Sequence, residues 1–175
     1  MYKLITFEDS VRIPPNLLGL KKNDAALKML RDRYERTVDK NYGIILGIFN
    51  AKISGDGKIL HGDGAAYFDV KYDALVFCLD VNEVLEGEIS EIVEFGAFVR
   101  LGPIDGLVHV SQVANEFLSY DKKNQYLIGK NSKKTIKKGD LVRAKVATVS
   151  FKETIPNSKI ALTTRPEGLG KISKK

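Results

Sequence analysis

A chain of 175 residues, 43% apolar and 29% charged, has a globular composition and is long enough for one large domain or two small ones. No run approaches the roughly 20 apolar residues needed to span a bilayer, Met1 leads into a mixed strand pattern with no signal peptide, and the single cysteine, Cys78, excludes an internal disulfide or a cysteine-based zinc cluster. The chain is therefore expected to be soluble and cytoplasmic. Its net charge of +6 is uneven: residues 1–80 carry 12 Lys/Arg and 11 Asp/Glu, residues 81–121 one and eight, and residues 122–175 fifteen and three. The basic third following an acidic segment reads either as a face for a polyanion or as a solvated tail.

Residues 2–13 alternate as a first strand, ended by Pro14 and Pro15, which cannot donate to a ladder. Over residues 23–40, Leu27, Leu30, Tyr34 and Val38 recur at helical steps and predict a helix with one buried stripe, its first amides capped by Asn23 or Asp24. Residues 42–53 and 67–79 read as long strands, the first almost continuously apolar at its start and so central in a sheet. The apolar neighbours of Cys78 in the second suggest a small buried side chain. Between them, residues 54–65 carry four glycines. They lack a phosphate-loop pattern and open no helix, so they read as a loop tip.

At Val81 the pattern changes to short strands with frequent turns, which places a boundary near Asp80 and divides the chain into domains 1–80 and 81–175. Strands are predicted over 84–94, 97–101, 106–110, 141–151 and 158–164, with Ser111 capping a short helix toward Leu118. Five strands with one short helix after the third is the order of an OB-fold barrel. The fold class is α+β. Residues 119–140 form a long polar insert with seven lysines, of a length typical of functional or mobile loops.

Alternation assigns faces to the barrel strands. Ala97, Val99 and Leu101 point inward and Phe98 and Arg100 outward; Val142, Ala144 and Val146 inward and Arg143 and Lys145 outward; Ile160 and Leu162 inward and Lys159 and Ala161 outward. Simple parity puts Phe95 on the core side, but a bulge at Gly96 would put both phenylalanines outside. His109 shares parity with Leu107; it is either a stacking partner or a strand-end histidine satisfied near Ser111. Two rings among arginine and lysine side chains suit single-stranded nucleic acid, with bases on the rings and cations along the phosphates.

The segment GEISEIVEFGAFVRLGPIDGLVHVSQ, residues 87–112, closely resembles the signature of the S1 RNA-binding domain, with its Phe-Gly-x-Phe and Leu-x-His-x-Ser elements. Together with VRIPPNLLG, HGDGAAYFDVKYDALVF and the lysine-rich insert, it makes nearly the whole chain similar to the seventh-subunit family of DNA-directed RNA polymerase stalk proteins, in its archaeal form. The resemblance implies a truncated ribonucleoprotein-like α/β domain followed by the barrel. It also implies an obligate heterodimer with a small helical stalk subunit, and transcript RNA crossing the barrel at Phe95, Phe98, Arg100, His109, Arg143, Lys145 and Lys159. A tip loop formed by Gly55, Asp56, Gly57, His61, Gly62, Asp63 and Gly64 would dock on the large core subunits near the clamp. One departure is in the fifth barrel strand, where S1 domains that bind RNA well often have arginine and this chain has Lys159 followed by Ala161.

No catalytic constellation is found. The two histidines, His61 and His109, lie in different predicted domains, and neither has a second histidine or cysteine at metal-ligand spacing. His61 beside Asp63 reads as a turn contact. No cofactor or metal is expected, and any magnesium chemistry would belong to other subunits. Two other readings use the same barrel: a free-standing RNA-binding factor of translation or RNA decay, and an adaptor whose barrel binds only proteins.

Overall fold

The alternation of residues 2–13 does build a strand. In a computed structural model that describes residues 1–114, 116, 118–121, 126–129 and 135–172, β1 (Tyr2–Ile13) pairs along its whole length with β4 (Ala66–Phe77), from Tyr2 opposite Phe77 to Ile13 opposite Ala66. The other edge of β4 pairs with β3 (Gly43–Ile59), and the two-residue β2 (Val38–Asp39) completes an antiparallel sheet in the order β1-β4-β3-β2. Along β4 the inward residues Phe68, Val70, Tyr72, Ala74 and Val76 are buried, whereas Asp69 and Lys71 are exposed. One helix, α1 (Lys22–Tyr34), contributes Ala25, Ala26 and Leu30 to that core, with Leu27 and Tyr34 packed half-buried against it. Full burial of a leucine such as Leu30 stabilises by about 1.5–3 kcal/mol.

Three expectations for this region are corrected. The helix ends at Tyr34 because Glu35 is extended and Arg36 adopts a φ of 64°, so Val38 belongs to β2, opposite Ile44. Neither Asn23 nor Asp24 caps it; the N-cap position is Lys21, and the Asn23 carboxamide oxygen accepts from the Ile53 amide instead. Residues 54–59 are strand rather than loop, because β3 continues to Ile59 through a register shift between Ser54 and Lys58 that absorbs the extra residues. Cys78 is half-buried, with its Sγ 3.4 Å from the Met1 carbonyl oxygen.

The chain clusters into two units, Met1–Cys78 with Lys152–Ile155 and Leu79–Phe151 with Pro156–Lys175. In the second, β5 (Val84–Val93), β6 (Gly96–Arg100) and β7 (Asp105–His109) form an antiparallel meander, followed by α2 (Val110–Val113). The insert holds a separate three-stranded sheet of β8 (Leu118–Asp121), β9 (Tyr126–Gly129) and β10 (Thr135–Lys137), in which Leu127 is fully buried. Strands this short leave almost no alternation to read. Of the seven insert lysines, Lys122, Lys123, Lys130, Lys133 and Lys134 lie outside the described residues.

After the insert, β11 (Leu141–Ser150) pairs with β5 through its first half and with β12 (Lys159–Thr163) through its second, while β12 runs parallel to β7. The order β12-β7-β6-β5-β11 therefore closes on itself as a five-stranded barrel, and β13 (Gly170–Lys171) extends it beside β11. The interior is the alternating set Ile89, Val99, Val108, Val146, Ile160 and Leu162. Gly96 is required by close approach: a Cβ there would lie 2.3 Å from the Val108 carbonyl oxygen. Ser111 lies inside α2 rather than at its cap, and that helix is one turn long. Among the described residues, no helix is long and apolar enough to cross a membrane.

Candidate nucleic-acid interface

Side chains opposite one another in a ladder share a face, so the register of the barrel shows which outward groups are neighbours. Phe98 lies between Glu91 on β5 and Leu107 on β7, and Leu107 is level with Ala161 on β12. One step toward the β5–β6 turn, Gly96 is opposite His109; continuing the β7–β12 register by two residues brings Thr163 level with His109, and Thr163 is directly opposite Lys145. From His109 to Lys145 the belt spans two strand spacings, about 10 Å. In the other direction, Arg100 lies between Glu88 and Asp105, and the same extension brings Lys159 level with Asp105.

Phe95 occupies the turn between β5 and β6 and is 51% exposed, and its ring meets that of Phe98 edge to face, centroids 6.3 Å apart at 84°, the arrangement that ring quadrupoles favour. The two rings therefore share the outer surface, but not through a bulge at Gly96. The Glu94–Phe95 turn resets the parity, and the irregularity in the ladder falls at Ser90, between Ile89 and Glu91. His109 is exposed. Its Nδ1 accepts from the Ser111 amide at 3.3 Å and lies 2.9 Å from the Ser111 hydroxyl, so it caps α2 and leaves Nε2 to carry the proton of the neutral ring.

The structure thus brings Phe95 and Phe98 together beside His109, sets Lys145 two strands further around the barrel wall, and places Arg100 and Lys159 on a neighbouring row that also holds carboxylates. Arg143 is apart from both. It opposes Glu86, near the start of β5 and some 15 Å along that strand from the neighbour of Phe98, and its Nη2 lies 2.6 Å from the Glu86 carboxylate. Two outward residues escape the reading from sequence: Leu107, beside Phe98, and Thr163, beside Lys145. The alternation that turns Ala161 outward also carries Thr163, so that signal is present in the strand; the position of Leu107 needs the β7 register.

The glycine-rich hairpin in the first unit is built around Asp63. Arg12 donates to both carboxylate oxygens from Nε and Nη2, at 2.8 and 2.7 Å, the Tyr67 hydroxyl donates at 2.8 Å, and the Ala65 amide at 3.1 Å. These hydrogen bonds, the Arg12 bond foremost, hold the Asp63 carboxyl well below the usual carboxylate range, and Asp63 raises the Arg12 guanidinium in return. Gly55 has a φ of 76° and Gly62 of 85°. Asp56 and Gly57 lie on β3, where a Cβ on Gly57 would meet the Phe68 ring at 2.4 Å. His61 is exposed in the turn, and Gly64 follows Asp63 before β4. No local spacing could announce the Arg12–Asp63 contact, whose partners are 51 residues apart.

Similarity to known proteins covers both units. Residues 8–64 match the family described as "SHS2 domain found in N terminus of Rpb7p/Rpc25p/MJ0397", and residues 79–159 match the S1 RNA binding domain. DNA-directed RNA polymerase subunit Rpo7 of Sulfolobus acidocaldarius is 44% identical over 173 residues, covering 98% of this chain and 93% of that protein. Rpo7 of Saccharolobus solfataricus is 45% identical over 172 residues, 98% of this chain and 96% of that protein. Ribonuclease R of Escherichia coli (strain K12) is 40% identical over 102 residues, but these span 56% of this chain and 12% of that protein. With both domains matched in order and almost the full length aligned, the chain belongs to the Rpo7 family of archaeal DNA-directed RNA polymerase subunits.

Proposed function

We propose that the chain serves in transcription as the Rpo7-type subunit of a DNA-directed RNA polymerase in the cytoplasm, making no bonds itself and holding emerging single-stranded RNA on the outer face of its barrel. The observation that carries this reading is the extent of the likeness to Rpo7 proteins, 98% of the chain. A free-standing RNA-binding factor would account for the barrel and leave the first unit without a role. Support for the RNA face comes from the paired rings of Phe95 and Phe98 beside His109, Thr163 and Lys145, where bases can stack and phosphates can meet a cation. The Asp63-pinned hairpin docks on the core subunits and influences clamp position, and a small helical subunit completes the stalk as a heterodimer.

The RNA face is tested by measuring binding of a labelled oligouridine to the full chain and to the double variant Phe98→Ala, Lys145→Ala. A loss of about ten-fold or more is expected from one stacked base and one phosphate contact. Unchanged binding would remove the assigned face, while leaving family membership as it stands.

A further inference from the structure

The charges around Phe98 are not symmetric, and the asymmetry bears on how RNA lies there. On the side toward the β5–β6 turn, the belt of His109, Thr163 and Lys145 contains no carboxylate, and the exposed Glu94 lies in the turn itself, outside the ladder. On the other side, Arg100 has a carboxylate on each neighbouring strand, Glu88 and Asp105, at cross-strand separations of about 5 Å between Cβ atoms. Glu91 is paired directly opposite Phe98 in the ladder. The position of Asp105 is fixed by a further contact: the Ser90 hydroxyl, on β5, donates to its Oδ2 at 2.9 Å and also approaches the Phe98 carbonyl oxygen at 3.4 Å. Since β5 and β7 flank β6, that bond passes over β6 and holds a carboxylate above its backbone. The ladder irregularity at Ser90 turns this side chain outward to make the contact.

Resting on the RNA reading given above, we infer that Glu91, Glu88 and the Ser90-held Asp105 form a repulsive border that confines single-stranded RNA to the belt from Phe95 through His109 and Thr163 to Lys145, and keeps Arg100 from the phosphates. The row sets Glu88 and Asp105 against Arg100 and Lys159, two negative charges for two positive, so it offers a phosphate no net attraction, whereas a phosphate over Lys145 meets a cation without that opposition. The border has a use in a polymerase subunit. A transcript must slide over the surface, and carboxylates beside the stacking ring hold affinity below what the aromatic and basic groups alone would give.

The test compares the full-length chain with Asp105→Asn, Glu91→Gln, Phe98→Ala and, as a control for net charge alone, Glu167→Gln, an exposed carboxylate outside these rows. The probe is a fluorescein-labelled oligouridine of about 12 nucleotides, titrated over a range of ionic strength. Asp105→Asn keeps a side-chain acceptor for Ser90, and thermal melts of each variant establish that it is folded. Asp105→Asn and Glu91→Gln are each expected to bind about two- to five-fold tighter at low salt. In the Asp105 variant the salt dependence should steepen by about 0.7 as Arg100 gains a phosphate, with Glu167→Gln close to the parent. If Phe98→Ala weakens binding but the border variants do not tighten it, or tighten it no more than Glu167→Gln, the border is overturned and the RNA face remains. If Phe98→Ala has no effect, the RNA reading falls and takes the border with it.

Discussion

Asp63 joins three parts of the first unit through one carboxylate: Arg12 near the end of β1, Tyr67 near the start of β4 and the backbone of the turn at Ala65. Because its carboxyl is held low, Asp63 should remain ionised as the pH falls through the ordinary carboxylate value of about 3.9. Its contribution is present above the unfolded pKa and is lost only as the pH falls through the lower folded value. A carboxyl-carbon NMR titration should therefore find Asp63 titrating well below the ordinary carboxylate range, and Asp63→Asn should raise amide exchange in residues 60–65 while leaving RNA binding unchanged. An ordinary titration would contradict the bidentate pair. At this scale the outward set of each barrel strand was legible, since parity needs only the strand itself. Arg143 shows the limit: parity turned it outward, but its place opposite Glu86, away from Phe98, depends on which half of β11 pairs with which strand.

Among the elements, long strands with strict alternation were legible almost to the residue, as β1 shows, because period-two burial leaves one consistent assignment. Elements ended or shaped by tertiary contacts were not. The stripe of α1 continued in sequence to Val38, yet the chain leaves the helix at Glu35, and the Arg36 amide bonds to the Ile45 carbonyl of β3. The glycines of residues 54–65 suggested a loop, whereas Gly57 is there to let β3 pass the Phe68 ring. Gly96 makes a similar case in the barrel. Gly96→Ala must push β6 away from Val108, so urea unfolding of the barrel should show a loss of roughly 1–3 kcal/mol together with weaker RNA binding, since the same turn carries Phe95. An unaffected barrel would contradict the close approach of β6 and β7.

For the whole molecule, the order of an α/β segment followed by five barrel strands was legible because each part has its own periodicity, and the fold is the expected α+β. The insert was opaque: its strands of three and four residues depend on each other and on the buried side chain of Leu127. If the two ends of the chain do separate work, replacing residues 54–65 with a short turn should abolish association with polymerase while leaving oligouridine affinity within about two-fold, a difference below 0.5 kcal/mol. The most direct measurement is to tag the full chain in the cells it comes from, recover it under native conditions and identify what accompanies it by mass spectrometry. Two very large polymerase subunits together with a small helical protein are the expected result. Recovery of ribosomal or RNA-decay proteins in their place would contradict the polymerase role, leaving the barrel as the RNA-binding part of a different assembly.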